Sequence, residues 1–398
     1  MIQSMQKDDR WLLPDGIEET LPEEARRIES LRRRSLNLLE SWGYELVMPP
    51  LMEYLDSLLT GVGRSLEIET FKLTDQMTGK MMGVRADMTP QVARIDAHYL
   101  RRSGASRLCY FGPVLRTRPD CLGCSRVPLQ LGAELFGVAS ADADIEIVEL
   151  LVETLRRMGI ESVHVDLGHM GIFQGLMKQT DLDDNAQSVL MEAVTCKSAP
   201  DVERQCDLLG INDYVRELLM LMTDSSGDVG QLSKLADKFS NAPEEIAAAF
   251  DNLVVIAKRL KQRLPETRLY FDLAALRGQS YHTGLVFAVY MPGYGRAIAN
   301  GGRYDDIGKE FGRARPATGF SLDLREVSKQ ATIAMEKSEM ICAPYEEDEA
   351  LMNTVRALRE SGRQVVFCYE DDQADMSRNG ASRLVKQDND TWVIESQG

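Results

Sequence analysis

Leu-Arg-Gly-Gln-Ser-Tyr-His-Thr-Gly-Leu-Val-Phe-Ala-Val-Tyr (276–290), a turn at Met-Pro-Gly-Tyr-Gly (291–295), and Ala-Ile-Ala-Asn-Gly-Gly-Arg-Tyr-Asp (297–305) form the stretch that decides the fold. Residues 283–290 are rich in β-branched and aromatic side chains, and Pro292, Gly293 and Gly295 supply a turn, so the stretch predicts a β-hairpin. Arg277 and Arg303 each adjoin a glycine and precede a tyrosine, and Gly278, Gly301 and Gly302 leave room for close approach to the backbone. Taken alone, these spacings favour an ordinary hairpin with surface arginines and turn glycines.

Outward from the hairpin, the chain alternates strands and helices. A helix opening at Thr20-Leu-Pro-Glu23, a capping-box pattern, places Ala25, Ile28, Leu31, Leu38, Leu39 and Trp42 on one face and an arginine cluster largely off it. Residues 44–48, 69–75, 80–85, 108–118, 127–137 and 163–167 read as strands. Residues 144–158 read as an amphipathic helix, and Thr89-Pro90 as a second helix start with Val92, Ile95 and Tyr99 inward. Between about 170 and 264 strand signals vanish and helical pieces follow one another, which predicts a helical insertion. After Val327 the pattern changes to a small α/β module. The expected domains are therefore 1–330, with the insertion inside it, and 331–398.

The 398 residues suffice for two or three domains. The net charge of −16 is spread along the chain and argues against a nucleic-acid partner, which calls for a basic stripe. Seven scattered cysteines suggest free thiols in a reducing compartment. Cys121-Leu-Gly-Cys124 is the only Cys-x-x-Cys, and no second pair or His-x-His cluster supplies the two further ligands a zinc site needs, so a solvent-side loop pair and no metal is the expected reading, with a metal or redox role the minor alternative. The polar N-terminus and the lack of a long apolar segment predict neither a signal peptide nor a membrane span, and a cytoplasmic location.

Charged and polar positions gather on the strand-rich part. Arg85-Ala-Asp87-Met-Thr89 stands between a strand and a helix start, Arg116 falls on a strand, and Gln130 and Glu134 share one face of the next strand. Arg277, Tyr281 and His282 join them from the hairpin. If the strands share a sheet, Asp87, Gln130 and Glu134 can receive an ammonium group, Arg116 and Arg277 a carboxylate or phosphate, and Tyr281 and His282 can wall an aromatic ring. That outlines an amino-acid site. On the spacings alone, surface charges on unrelated strands are the favoured reading.

From about Leu13 to Glu326 the chain resembles the catalytic core of histidyl-tRNA synthetase, a class II aminoacyl-tRNA synthetase. Gly-Tyr-Glu-Leu-Val-Met-Pro-Pro (43–50) is similar to the dimer-forming motif 1 of that class. Arg85-Ala-Asp-Met-Thr89, Gln130-Leu-Gly-Ala-Glu134-Leu-Phe-Gly, Arg277-Gly-Gln-Ser-Tyr281-His282 and Gly301-Gly-Arg-Tyr-Asp305 match its segments in order. The resemblance implies an α+β fold: a class II synthetase-like antiparallel sheet flanked by helices. It also implies a histidine-binding set of Asp87, Thr89, Arg116, Gln130, Glu134, Arg277, Tyr281 and His282.

The ATP motifs depart from the pattern. Arg116 stays, but Arg118 stands where motif 2 has glutamate; in motif 3, Asp323 replaces a glycine and Glu326 the clamping arginine, with Arg325 one residue early. A carboxylate about 4 Å from a phosphate is unfavourable by up to roughly 4 kcal/mol at an effective dielectric of 20. The C-terminal module is short and acidic for an anticodon reader. The combination is similar to the synthetase-like regulatory subunits of ATP phosphoribosyltransferase. It implies no catalysis and no cofactor, self-association through motif 1, a short catalytic subunit as partner, and L-histidine as effector in the first step of histidine biosynthesis. A working synthetase, another amino-acid ligase and a scaffold with a vestigial pocket are the competing readings.

Overall fold

The computed structural model describes residues 11–60, 64–121, 123–276, 282–332, 339–369, 382–388 and 390–395. The chain divides into two compact units, Met1–Ile333 and Ala334–Gly398.

The first unit is built on a nine-stranded sheet. Its strands are β1 (Glu45–Val47), β5 (Ser106–Pro113), β6 (Leu129–Phe136), β12 (Ala317–Asp323), β11 (Ala299–Arg303), β10 (Leu285–Tyr290), β7 (His164–His169), β9 (Arg268–Asp272) and β8 (Ser226–Asp228), in that spatial order. From β5 to β7 every pairing is antiparallel. The departures lie toward the edges, where β1 pairs with β5 and β7 with β9 in parallel. The hairpin read from the sequence is β10–β11, with Val286 opposite Gly302 and Val289 opposite Ala299.

Strand alternation assigns the two faces. On β6, Leu131, Ala133 and Leu135 join the main core, while Gln130 and Glu134 lie on the opposite side. Helix α1 (Pro22–Ser41) adds Ile28, Leu31, Leu38 and Leu39 to that core. The expected capping box is absent: Leu21 is the cap residue and makes no side-chain cap. Thr20 instead accepts a hydrogen bond from Arg325 (2.7 Å). On the helix's outer side Arg32 and Arg33 both pair with Glu29, at 2.6 and 2.7 Å.

Helix α2 (Thr89–Arg94) begins at Thr89 and passes into a π-helical turn, Ile95–Leu100. That wider turn changes the facing of side chains, so Tyr99, expected inward, is 70 % exposed. Helix α3 (Ala141–Arg157) presents Ile145, Val148, Leu151, Val152 and Leu155 to the core.

Residues 170–264 form α4 (Met170–Met177), α5 (Asp184–Thr195), α6 (Ala199–Leu209), α7 (Asp213–Asp224) and α8 (Glu244–Arg263). One correction to an all-helical insertion is β8, Ser-Gly-Asp, which pairs antiparallel with β9 at the sheet's edge. Three residues without apolar alternation give no sequence signal, because only the backbone ladder and the Asp228 cap on Gly230 (2.8 Å) define them. The short strands β2 (Met52–Tyr54), β3 (Phe71–Thr74) and β4 (Met81–Val84) make a separate antiparallel sheet. Helix α9 (Leu324–Gln330) follows β12 directly.

The second unit contains β13 (Met340–Pro344), α10 (Glu349–Glu360), β14 (Gln364–Cys368), β15 (Ser382–Lys386) and β16 (Trp392–Glu395), in a sheet of order β14-β13-β15-β16. Ile341, Leu351, Val355, Val365, Leu384 and Trp392 make its small core.

The cysteines also depart from expectation. Cys121–Cys124 and Cys342–Cys368 are disulfide-bonded, leaving Cys109, Cys196 and Cys206 as free thiols. The pairings depend on loop and strand proximity, which cysteine spacing does not reveal.

Candidate functional site

The segment from Arg85 to Thr89 is fixed by its backbone and by one buried arginine. Arg85 donates to the carbonyls of Pro49 (2.7 Å) and Pro113 (3.0 Å), tying the segment to the motif 1 prolines and to the end of β5. Asp87 Oδ1 then accepts from the Thr89 amide (3.0 Å) and from Gln130 Nε2 (2.7 Å), while Gln130 Oε1 accepts from the Met88 amide (2.9 Å). The reciprocal pair sets the orientation of the Gln130 side-chain amide, whose oxygen faces an N–H and whose nitrogen faces a carboxylate.

Glu134 lies deeper. Tyr304 (2.5 Å) and Tyr110 (2.9 Å) donate to its carboxylate, as does the Thr89 hydroxyl (3.1 Å). It is 1 % exposed, and burial pushes its pKa up to about 8 against the lowering effect of the Tyr304, Tyr110 and Thr89 hydrogen bonds. Gly319 stands opposite Glu134 on β12, where a Cβ would lie 1.6 Å from Glu134 Oε2. Only glycine leaves the carboxylate its place.

A cavity of about 250 Å³ opens over this face, lined by Asp87, Thr89, Gln130, Glu134, His282 and Asn300 among others. His282 is buried, its carbonyl accepting from Gln174 (3.0 Å). Gly302 faces its ring, and a Cβ there would come within 2.6 Å of it. Arg277 and Tyr281 lie outside the described residues. Arg116 lies beyond the end of β5, correcting its expected place on a strand: its backbone is held by an isolated bridge to Thr70 and by Arg126, whose carbonyl accepts from the Arg116 amide (2.9 Å) and whose Nε donates to the Arg116 carbonyl (3.1 Å). Its guanidinium pairs closely with Asp120, and Glu69 lies 3.8 Å away.

The structure therefore brings Asp87, Thr89, Arg116, Gln130, Glu134 and His282 to one cavity. Sequence reasoning missed Tyr110, Tyr304 and Asn300. Tyr110 is opposite Gly132, between Gln130 and Glu134, a relation that needs the β5–β6 register. Tyr304 stands in the Gly-Gly-Arg-Tyr-Asp segment, noted after Arg303 but given no place in the site. That neighbour, Arg303, faces away and forms a buried ion pair with Asp144 (2.9 Å).

A second cavity, about 360 Å³, adjoins the first and shares Arg116, Asp120, Gln130, Asn300 and Ser321 with it. This is where the altered motif 3 lies. Asp323 accepts from the Leu129 and Arg325 amides (both 3.0 Å), so it caps α9 rather than lying open. Arg325 is 6 % exposed and donates to Thr20 (2.7 Å) on the chain leading into α1, with Glu24 at 3.4 Å. Glu326 is held by Arg296 (2.5 Å), Tyr294 (2.9 Å) and Lys329 (2.8 Å). Its charge is thus compensated within the chain, and the altered feature is the missing arginine more than a bare repulsive carboxylate.

Among the described residues no cluster of histidine, cysteine, aspartate and glutamate is arranged to hold a metal ion, and no helix is long and apolar enough to cross a membrane.

These features define a class II synthetase-like core of the histidyl type. Residues 16–327 match the histidyl-tRNA synthetase family model, and residues 338–395 match the ATP phosphoribosyltransferase subunit HisZ C-terminal domain. The chain belongs to the ATP phosphoribosyltransferase regulatory subunit family. It is 47 % identical over 390 residues to the protein of that name from Alkalilimnicola ehrlichii, covering 97 % of each. The Ectopseudomonas mendocina protein of the same name is 48 % identical, with 97 % of this chain and 98 % of the relative covered. Among solved structures, an ATP phosphoribosyltransferase regulatory subunit/histidyl-tRNA synthetase from Bacillus halodurans superposes with a TM-score of 0.80 at 25 % identity, over 93 % of this chain and 96 % of that one. Histidyl-tRNA synthetase from Nostoc sp. gives 0.77 at 17 % identity over 97 % of each, a likeness of fold. The family is one of regulatory, not catalytic, subunits.

Proposed function

We propose that this chain activates a short catalytic subunit of ATP phosphoribosyltransferase and makes it sensitive to histidine, which occupies the cavity over Asp87, Thr89, Gln130 and Glu134. The observation that carries the reading is the contrast between the two adjoining cavities. One keeps a buried, hydrogen-bonded carboxylate floor suited to an ammonium and an imidazole. Beside it, Arg325 is committed to Thr20 and Glu326 to Arg296, so triphosphate binding lacks its clamp.

In this reading Asp87 and Gln130 receive the histidine amino group, Glu134 its ring, and Arg116, Arg277, Tyr281 and His282 complete the pocket. Histidine inhibits by binding one assembly state better than another, a coupling typically worth about 1–3 kcal/mol. Self-association would use the motif 1 region, where Leu46 and Met48 are exposed.

The test is phosphoribosyltransferase activity of the short catalytic subunit, with and without this chain, across a histidine titration. Stimulation by the chain and inhibition by histidine are expected. Glu134→Ala or Tyr281→Ala should weaken inhibition while leaving stimulation largely intact. Loss of stimulation with normal inhibition would sink the pocket assignment.

A further inference from the structure

The Cys121–Cys124 pair is a feature that neither the pocket nor the fold employs. It lies in the loop joining β5 to β6 and forms part of the wall of the 360 Å³ cavity. The two residues differ in exposure: Cys121 is half-buried, whereas Cys124 is 8 % exposed. Across the cavity, one guanidinium nitrogen of Arg296 touches both, at 2.7 Å from Cys121 Sγ and in close contact with Cys124 Sγ. The same guanidinium holds Glu326 and stacks over Tyr294 at 5.1 Å. The ionisable groups around the pair are Arg116 and Asp120 from its own loop, and Tyr294, Arg296, Asp323 and Glu326 from the facing elements.

A more exposed cysteine joined to a buried one beside a positive charge is an arrangement that favours thiol–disulfide exchange, because a stabilised leaving thiolate departs faster. We propose that Cys121–Cys124 is a redox-active disulfide, a modification site opened by a dithiol reductant, with Arg296 positioned to stabilise the leaving Cys124 thiolate. A thiolate of the reductant attacks Cys121 Sγ; the S–S bond breaks and its electron pair leaves on Cys124 Sγ. The reductant's second thiol loses its proton to solvent and attacks the mixed disulfide. Cys121 leaves as a thiolate, takes a proton from water, and the dithiol departs as a cyclic disulfide, having passed two electrons to the pair. The two cysteines line only the 360 Å³ cavity, while Arg116 and Asp120 on the same loop also line the neighbouring 250 Å³ cavity.

The test uses the full chain equilibrated with glutathione disulfide, then dithiothreitol, with differential alkylation read peptide by peptide so that other cysteines do not interfere. Both cysteines should be protected before reductant and both alkylated after it. Arg296→Met should slow opening by about threefold for each pKa unit the Cys124 thiol rises, taking the leaving-group dependence to match that of the nucleophile. Arg296→Lys should recover part of the rate, and the Cys124 thiolate titration should move to higher pH in Arg296→Met. Glu326→Gln, which removes the carboxylate competing for Arg296, should speed opening and serves if Arg296→Met does not fold. Full alkylation of both cysteines after glutathione disulfide, or wild-type opening rates in Arg296→Met or Glu326→Gln, would overturn the proposal.

Discussion

Replacing Glu134 by glutamine tests the electrostatic account of the pocket floor through stability alone, with no partner needed. In the folded chain burial holds the carboxyl proton up to a pKa of about 8, against an ordinary value of 4.5. Between those values the folded state binds the extra proton and the unfolded state does not, so stability falls as pH rises through the window. Each pKa unit is about 1.4 kcal/mol, so the whole window amounts to at most about 5 kcal/mol. Below pH 4.5 both states are protonated and the term is fully present. Glutamine keeps the shape and an acceptor oxygen for Tyr304, Tyr110 or Thr89 and cannot ionise. Urea midpoints measured from pH 4.5 to 8.5 should therefore fall less steeply with pH in Glu134→Gln than in the wild type, with the two curves diverging most above pH 7. Parallel curves would refute the reasoning, because they would mean that Glu134 ionises as readily folded as unfolded.

Three further outcomes are expected. Burial lowers the pKa of His169 to about 4, so its contribution is present above pH 6.5 and lost as pH falls through 4; His169→Asn, which can still cap Gly171, should flatten the acid limb of the same stability profile. Arg315→Met leaves Asp96, 1 % exposed, without its charge partner and should cost about 3–5 kcal/mol by denaturant unfolding, part of it recovered in the double variant with Asp96→Leu. Gly319→Ala drives a methyl into Glu134 Oε2 and should lower stability by about 1–3 kcal/mol and abolish histidine binding measured by calorimetry, whereas Gly104→Ala, with nothing near its added Cβ, should do neither.

What the sequence made legible was whatever local patterning encodes. Alternation in 129–136 sorts Leu131 and Leu135 from Gln130 and Glu134, and the turn residues between 291 and 295 join the strands β10 and β11 that they promise. The apolar period read over 144–158 likewise became α3, which starts three residues earlier at Ala141. What stayed hidden depends on pairing across the chain. The short strand β8 takes its identity from β9, and Tyr110 enters the site only because β5 registers against β6. Strand β15, a short stretch with one buried leucine at 384, was equally silent. Thr20 shows the same limit from the other side: a local capping signature was overridden by a distant arginine.

That distant arginine has a consequence for what the corner can be changed into. Arg325 is engaged with Thr20, Asp323 ends β12 and starts α9, and Glu326 is engaged with Arg296. Turning this corner back into a nucleotide clamp would require releasing the first, replacing the second and reversing the charge of the third. Releasing Arg325 leaves a buried guanidinium without its Thr20 partner, and reversing Glu326 leaves Arg296 without its counter-ion, before any benefit in nucleotide affinity accrues. Engineering a nucleotide clamp into this corner would therefore have to change all three positions together with their partners Thr20 and Arg296.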